Sequence, residues 1–439
     1  MNDIRTEIQA NQIKKLKEIK TLLVGLYDRL EIPSEVFGIG NNVTEFSSFE
    51  TRKMGGEEKK LEETVSRFDE AINVIPTQIV QEIVDTETLI KTGNVHLFAG
   101  EFEKAVEYFD MILKYQPGNV IALSVKGMAL YFLGNTNDAI NVLSKAIKAE
   151  GSRSETALAH NNLGFILLIS RDFEKAANHF NSAIDLNPDF AIPWNNMGQL
   201  LSENGDFETA IKYFDQALSI ESNLPFALNN KGFALFNLGE IRQALSYFDR
   251  AIKTQENFAM AWNNKGRVLI NLNRPEEALH YFEKAIEYQP NLATAWANKG
   301  FALSMGGRVS DALIHYDMAE KLDPNNPVII ATKASILISI GKLFEAVEYA
   351  SRAIELQPNN AIAYNNRGLA KMRMGNIIDA IDDFDMAVKL QPNMPFIWVN
   401  RGLAYLQIGD SETAHESFRQ AVELDPNIRQ LLSEQGVSV

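Results

Sequence analysis

Across residues 191–224 the apolar positions fall into two runs of helical spacing separated by a turn signal. Trp194, Met197, Gly198 and Leu201 share one face of a first helix, Gly205-Asp206 interrupts it, and Ala210, Phe214, Ala217 and Leu218 share one face of a second. The pattern predicts a helical hairpin, with Gly198 and Ala210 small where the two helices cross. The same residue types return at 259–292, 68 positions later, and the segment between repeats them at 34. A period of 34 predicts an array of stacked hairpins rather than a single central core. Stepping by that period places hairpin starts near Thr86, Val120, Ala157, Ala191, Pro225, Ala259, Ala293, Pro327, Ala361 and Pro395, with a 37-residue step at the third, where Gly151-Ser152-Arg153-Ser154 reads as a longer loop.

Outside the array the pattern is less regular. Residues 1–30 read as a helix carrying Leu16, Ile19, Leu23, Leu26 and Leu30 at spacings of three and four. This stripe suits either docking on the array or self-association into a homo-oligomer through residues 1–30. Residues 31–56 hold Pro33, Gly38, Gly40, Gly55 and Gly56 without a period and read as a linker. Helical spacing resumes at 57–85, where Phe68, Ala71 and Pro76 have the offsets of a second helix, so this stretch is expected to be a cap or degenerate half-repeat. The regular array is expected over 86–426, and Ile428, Leu431 and Leu432 suggest a closing helix within 427–439.

The array resembles tetratricopeptide repeats, whose pattern is Trp-x2-Leu-Gly-x2-Tyr, Ala-x3-Phe and a closing Pro. Carrying it are Trp194, Trp262, Trp296 and Trp398, glycines such as Gly164, Gly232, Gly300 and Gly402, and pairs such as Ala210/Phe214, Ala244/Phe248 and Ala278/Phe282. Prolines close seven of the ten hairpins. Departures are local: Arg171 and Asn273 stand for the turn glycine, and Ala334 for the crossing glycine. The resemblance implies an all-α, right-handed superhelical solenoid with its first helices lining the inner surface, and a non-enzymatic scaffold or adaptor that binds a protein partner.

Two rows of polar residues recur with the repeat. Asn162, Asn196, Asn230, Asn264, Asn298, Asn366 and Asn400 lie two residues before the crossing glycine, off the Trp/Leu/Gly stripe. An amide carries both a donor and an acceptor, so such a row could hold the main chain of an extended peptide. A similar asparagine ladder lines the superhelix of O-linked N-acetylglucosamine transferases, and that resemblance implies backbone recognition in the groove. The alternative is that these amides bond to neighbouring helices. Phe165, Phe233 and Phe301, one residue after the glycine, are candidate apolar pockets beside the row, or else packing residues. A cation precedes the glycine at Lys126, Lys231, Lys265, Lys299, Lys333, Arg367 and Arg401. This row is expected either to reach acids such as Asp249, Glu283, Asp317 and Asp385 on second helices or to form an anion-binding stripe.

Charge and composition narrow the field. The net charge is −15, and the excess of acid lies wholly beyond residue 60, which disfavours binding to phosphate backbones, so no nucleic acid is expected. There are no cysteines, and the six histidines show no metal-ligand spacing, so neither metal nor cofactor is expected. No phosphate loop, nucleophile elbow or zinc-protease motif occurs. The polar N-terminus and the lack of a long apolar run lead to the expectation of a soluble, cytoplasmic protein without a membrane segment.

Overall fold

The computed structural model describes residues 2–30, 55–75, 80 and 84–434. Of the expected linker at 31–56, residues 31–54 lie outside these, as do the final residues 435–439, while Gly55 and Gly56 open a helix. The described residues are helical throughout, with no strand. After α1 (Asn2–Leu30) and α2 (Gly55–Asn73), ten hairpins cover 86–113, 120–148, 153–186, 191–220, 225–254, 259–288, 293–322, 327–356, 361–390 and 395–424. A short helix at Ile428–Glu434 follows. The chain divides into two compact units, Met1–Asn264 and Lys265–Val439, the division falling within the first helix of the sixth hairpin.

Local chemistry sets where helices begin and turn. Asp172, Asp206 and Asp410 cap second helices by accepting a backbone N–H three residues on. Asn119, Asn326 and Asn360 cap first helices in the same way. Proline supplies the first turn at Pro225, Pro327 and Pro395. The turn inside a hairpin needs a left-handed residue. Gly205 takes φ +81° there, and Arg171 and Asn273, standing in for glycine, are forced to φ 61° and 56°.

Within a hairpin the helices meet at the crossing glycine. A Cβ on Gly198 would lie 2.6 Å from the ring of Phe214, and one on Gly266 would lie 2.6 Å from Phe282. The eighth hairpin carries the larger Ala334 at this position and the smaller Ala350 where the ring would be, so volume is exchanged between the two sites; both alanines are fully buried. Between hairpins, each tryptophan ring nitrogen donates to a carbonyl six residues earlier: Trp194 to Pro188 at 3.0 Å, Trp296 to Pro290 at 2.8 Å and Trp398 to Pro392 at 2.8 Å. Each indole thereby ties its helix to the loop that leads into it.

At the start of the first unit the apolar stripe of α1 is consumed. Leu16, Ile19, Leu23, Leu26 and Tyr27 are buried in one core with Leu61, Val65 and Phe68 of α2 and with Leu89, Ile90 and Phe109 of the first hairpin. Here α1 plays the first helix and α2 the second helix of an incomplete hairpin. These contacts pack α1 on α2 and on the first hairpin. At the other end of the chain, Leu432 is buried with Phe418 and Val422.

Because the ring of Phe214 fills the space a side chain on Gly198 would need, Gly198→Ala is expected to destabilise by about 1–3 kcal/mol. Adding Phe214→Ala should cost less than the sum of the two single changes, because it reproduces the eighth hairpin's pairing. Denaturant unfolding of the three variants measures both effects.

Candidate functional site

The asparagine row lies between hairpins rather than on an open surface. Asn162, Asn196, Asn264 and Asn366 are buried, and Asn230, Asn298 and Asn400 are half-buried. In five hairpins the row member is preceded by a second asparagine, and four of these neighbours accept from the row member of the next hairpin. In the first unit, Asn196 Nδ2 donates to Asn161 Oδ1 at 3.0 Å, Asn230 to Asn195 at 3.1 Å and Asn264 to Asn229 at 2.9 Å. The amide nitrogens of Asn161, Asn195 and Asn229 each donate in turn to the adjacent Asn162, Asn196 and Asn230 at 3.2 Å. In the second unit Asn400 donates to Asn365 at 2.8 Å, while Asn366, facing a hairpin that has Ala331 in that place, takes the Ala331 carbonyl at 2.9 Å. These bonds between hairpins are those of the alternative in which the amides of the row bond to neighbouring helices. The row's beginning is visible at Asn162, whose Nδ2 is buried without a partner: the preceding hairpin offers Ser124, whose hydroxyl already bonds Val120 O.

The feature missed in the sequence is the first asparagine of the doublet, which supplies the acceptor in four of the five, at Asn161, Asn195, Asn229 and Asn365. The recurring Asn-Asn doublet was the available signal: two amides one residue apart can bond each other and still leave one group for the next hairpin.

The cation row also turns inward. Lys231 meets Asp215 and the Tyr247 hydroxyl, with its ammonium 4.4 Å from the tyrosine ring centre. Lys126 meets Asp110, Lys299 meets Glu283 at 3.1 Å, and Arg401 meets Asp385 at 2.6 Å. Each of these acids lies sixteen residues earlier, on the preceding hairpin's second helix. Lys333 reaches Asp317 and Glu320, both at 2.7 Å. Burial disfavours the Lys333 charge, but these two carboxylates and the Tyr349 hydroxyl outweigh it and hold the ammonium above the ordinary lysine range. Arg367 departs from the pattern by gripping the buried Asp383 of its own hairpin, which Lys371 also reaches at 2.8 Å. The expected contacts to Glu283, Asp317 and Asp385 are present, and an anion-binding stripe is not what these cations form.

The three phenylalanines differ in setting. Phe165 is buried, its ring edge-on to Tyr131 at 6.3 Å. Phe233 is half-buried, edge-on to Phe207 at 6.4 Å. Phe301 is 38% exposed. Thus only Phe301 of the three presents its ring to solvent.

Two clusters of titratable groups stand apart from these rows. Where the cap meets the first hairpin, Asp69 of α2 accepts from Tyr108 at 2.5 Å and lies 3.2 Å from His96 Nε2, while His96 Nδ1 lies 2.6 Å from Glu101. Burial works against the Asp69 charge, but the hydrogen bonds from His96 and Tyr108 and the Lys104 charge hold its carboxyl below the usual range. In the third hairpin His160 and His179 occupy the places that Trp194 and Tyr213 hold in the fourth, and their Nδ1 atoms are 2.9 Å apart. Burial, and then the charge of His179, pushes His160 down to about 4; burial also lowers His179. Among the described residues no group of three metal-ligating side chains forms. No described helix is long and apolar enough to cross a membrane.

Family models for the tetratricopeptide repeat match residues 90–152, 157–190, 191–224, 227–257, 259–292, 361–394 and 395–428, and a TPR-repeat model matches 334–375. The chain belongs to the tetratricopeptide repeat family. Its repeats make it a protein–protein interaction scaffold. None of the curated proteins matches it. Among solved structures it is similar to YrrB, described as a TPR protein with an unusual peptide-binding site (26% identity, 43% of this chain and 96% of that one, TM-score 0.31). It is also similar to MamA 41-end from Desulfovibrio magneticus RS-1 (25% identity, 38% and 96%, TM-score 0.33). A third is a tetratricopeptide repeat protein from Parabacteroides merdae ATCC 43184 (19% identity, 58% and 99%, TM-score 0.46).

Two measurements check the geometry. Changing Asn196, Asn230 and Asn264 together to alanine strips buried acceptors of their donors, and is expected to lower stability by about 1–3 kcal/mol per site in denaturant unfolding. An unchanged midpoint would return these amides to the solvent. The histidine pair sets a pH dependence. Its imidazoles hold protons less tightly when folded, so its contribution is complete above the ordinary histidine pKa near 6.5 and is lost as pH falls toward about 4. Replacing the pair as His160→Trp with His179→Tyr, the residues of the fourth hairpin, should flatten the melting temperature over that window.

Proposed function

We propose that the chain captures an extended peptide or a partner helix on the face built from its first helices, with apolar side chains as contact points in place of the asparagine amides. The supporting observation is the exposure of large apolar residues on that face in the second unit. Phe301 is 38% exposed and Met305, one helical turn further, is similarly open. Val328, the second residue of the eighth hairpin, is 63% exposed, and Phe396 opens to solvent at the same place in the tenth. Positions two, nine and thirteen of a hairpin follow one helical stripe, so these side chains belong to one face. At the corresponding places of the first unit, Phe165, Ile192 and Phe226 are buried against their neighbours. Capture is therefore assigned to the second unit, where the stripe lacks such cover.

The charge of this stripe fits the same reading. At positions two, nine and thirteen of its hairpins the second unit has no acidic residue, although the whole chain carries −15. Thr294, Ser335, Ser339 and Gln407 fill places between the apolar groups. An apolar surface with neutral polar groups and the arginines Arg267 and Arg373 between its anchors, and no acid, suits a segment whose alternate side chains are apolar.

Selection from random peptides displayed on phage supplies the probe. Peptides recovered on the intact chain are expected to bind Phe301→Asp at least about tenfold more weakly, a loss of about 1.4 kcal/mol, with little change in melting temperature. Binders indifferent to Phe301→Asp and to Phe396→Asp would refute the assignment.

A further inference from the structure

The hairpin turns of the last three repeats carry an apolar strip that the inner stripe does not account for. Phe344 and Ile378 are the second residues of the second helices in the eighth and ninth hairpins, and are 77% and 63% exposed. The other eight hairpins place Glu, Arg, Ser or Asn there. Ile340 and Ile408, which end the first helices of the eighth and tenth hairpins, are exposed as well, with half-buried Met374 at the equivalent place in the ninth. Each of these residues is within four positions of its hairpin's tight turn, so together they line one edge of the second unit. Contiguous exposure of this kind marks an interaction surface.

The border of the strip is acidic. Glu348 and Asp382 lie four residues, one helical turn, beyond Phe344 and Ile378 on the same helix faces, and both are exposed. Glu416 occupies the same register in the tenth hairpin. Asp379 and Glu412 add two further carboxylates beside the turns. Against these, Lys342 is engaged by Glu345 at 2.9 Å, and Arg373 donates to the Ile338 carbonyl at 3.0 Å.

We infer that this edge is a second docking surface, for an amphipathic helix whose apolar stripe is flanked by lysine or arginine. Three hairpins packed at about 10 Å spacing give a strip of about 20 Å, which about four helical turns would span. Apolar contact supplies the adhesion, and the acidic border selects a basic partner over an acidic one.

The test uses the full chain and two labelled synthetic helices that share one leucine stripe, one flanked by lysines and the other by glutamates, read by fluorescence anisotropy. The lysine-flanked helix is expected to bind at least about tenfold more tightly, and to weaken as salt rises. Phe344→Asp with Ile378→Asp should abolish binding without lowering the melting temperature, since both side chains are exposed. Phe301→Asp should leave it unchanged, which separates this edge from the face of the first helices. Equal binding of the two helices, no binding of either, or binding unaffected by the double change would overturn the proposal. So would concentration-dependent self-association lost in the double variant, because the occupant would then be a second copy of the chain.

Discussion

A hairpin of two short helices has apolar residues on both broad sides and can cover neither by itself. That constraint governs the rest of the molecule. Crossing at glycine brings the two helices close enough for Phe214 or Phe282 to fill the seam, but the flanks remain open until a neighbour arrives. Both ends of the chain answer the same need. At the beginning α1 and α2 form an incomplete hairpin over the first repeat, and at the end Leu432 returns to the core of the tenth. Leu16, Ile19, Leu23 and Leu26 of α1 thereby cover the flank of the first hairpin.

Covering the flanks with neighbours places polar residues in the seams, and these polar residues have to be satisfied there. The asparagine doublets do this in relay: one amide bonds its neighbour in the sequence, and the other reaches back to the preceding hairpin. The cations before the crossing glycine do it with charge, meeting an acid on the second helix behind them. Asp69 follows Phe68 as Asp215 follows Phe214, and there His96 and Tyr108 replace the lysine. Among the described residues, the large apolar side chains left exposed concentrate in the second unit.

The architecture was legible because it depends on spacing, and spacing is carried by the chain directly. Thirty-four-residue recurrence gave the hairpins, and positive φ at Arg171 and Asn273 follows from their standing where glycine was expected. The direction of the asparagine side chains was not legible. A helical register places Asn196 off the Trp-Met-Gly stripe, which is true both of a residue facing solvent and of one facing the next hairpin. Deciding between these requires the partner, and the partner was Asn161, 35 residues away. For the same reason Phe165 and Phe301 share one register yet differ in exposure: Tyr131 of the preceding hairpin covers the first. Sequence periodicity fixes the face on which a residue lies, whereas burial depends on what the adjacent repeat presents to it.

The claim on which the account turns is that amides of successive hairpins hold each other. A double-mutant cycle on Asn195 and Asn230, whose side chains meet at 3.1 Å, isolates that contact from the rest of the seam. Unfolding free energies of Asn195→Ala, Asn230→Ala and the double variant are predicted to give a coupling of at least about 0.5 kcal/mol. Changes that add within about 0.3 kcal/mol would contradict it and leave the asparagines available to a ligand.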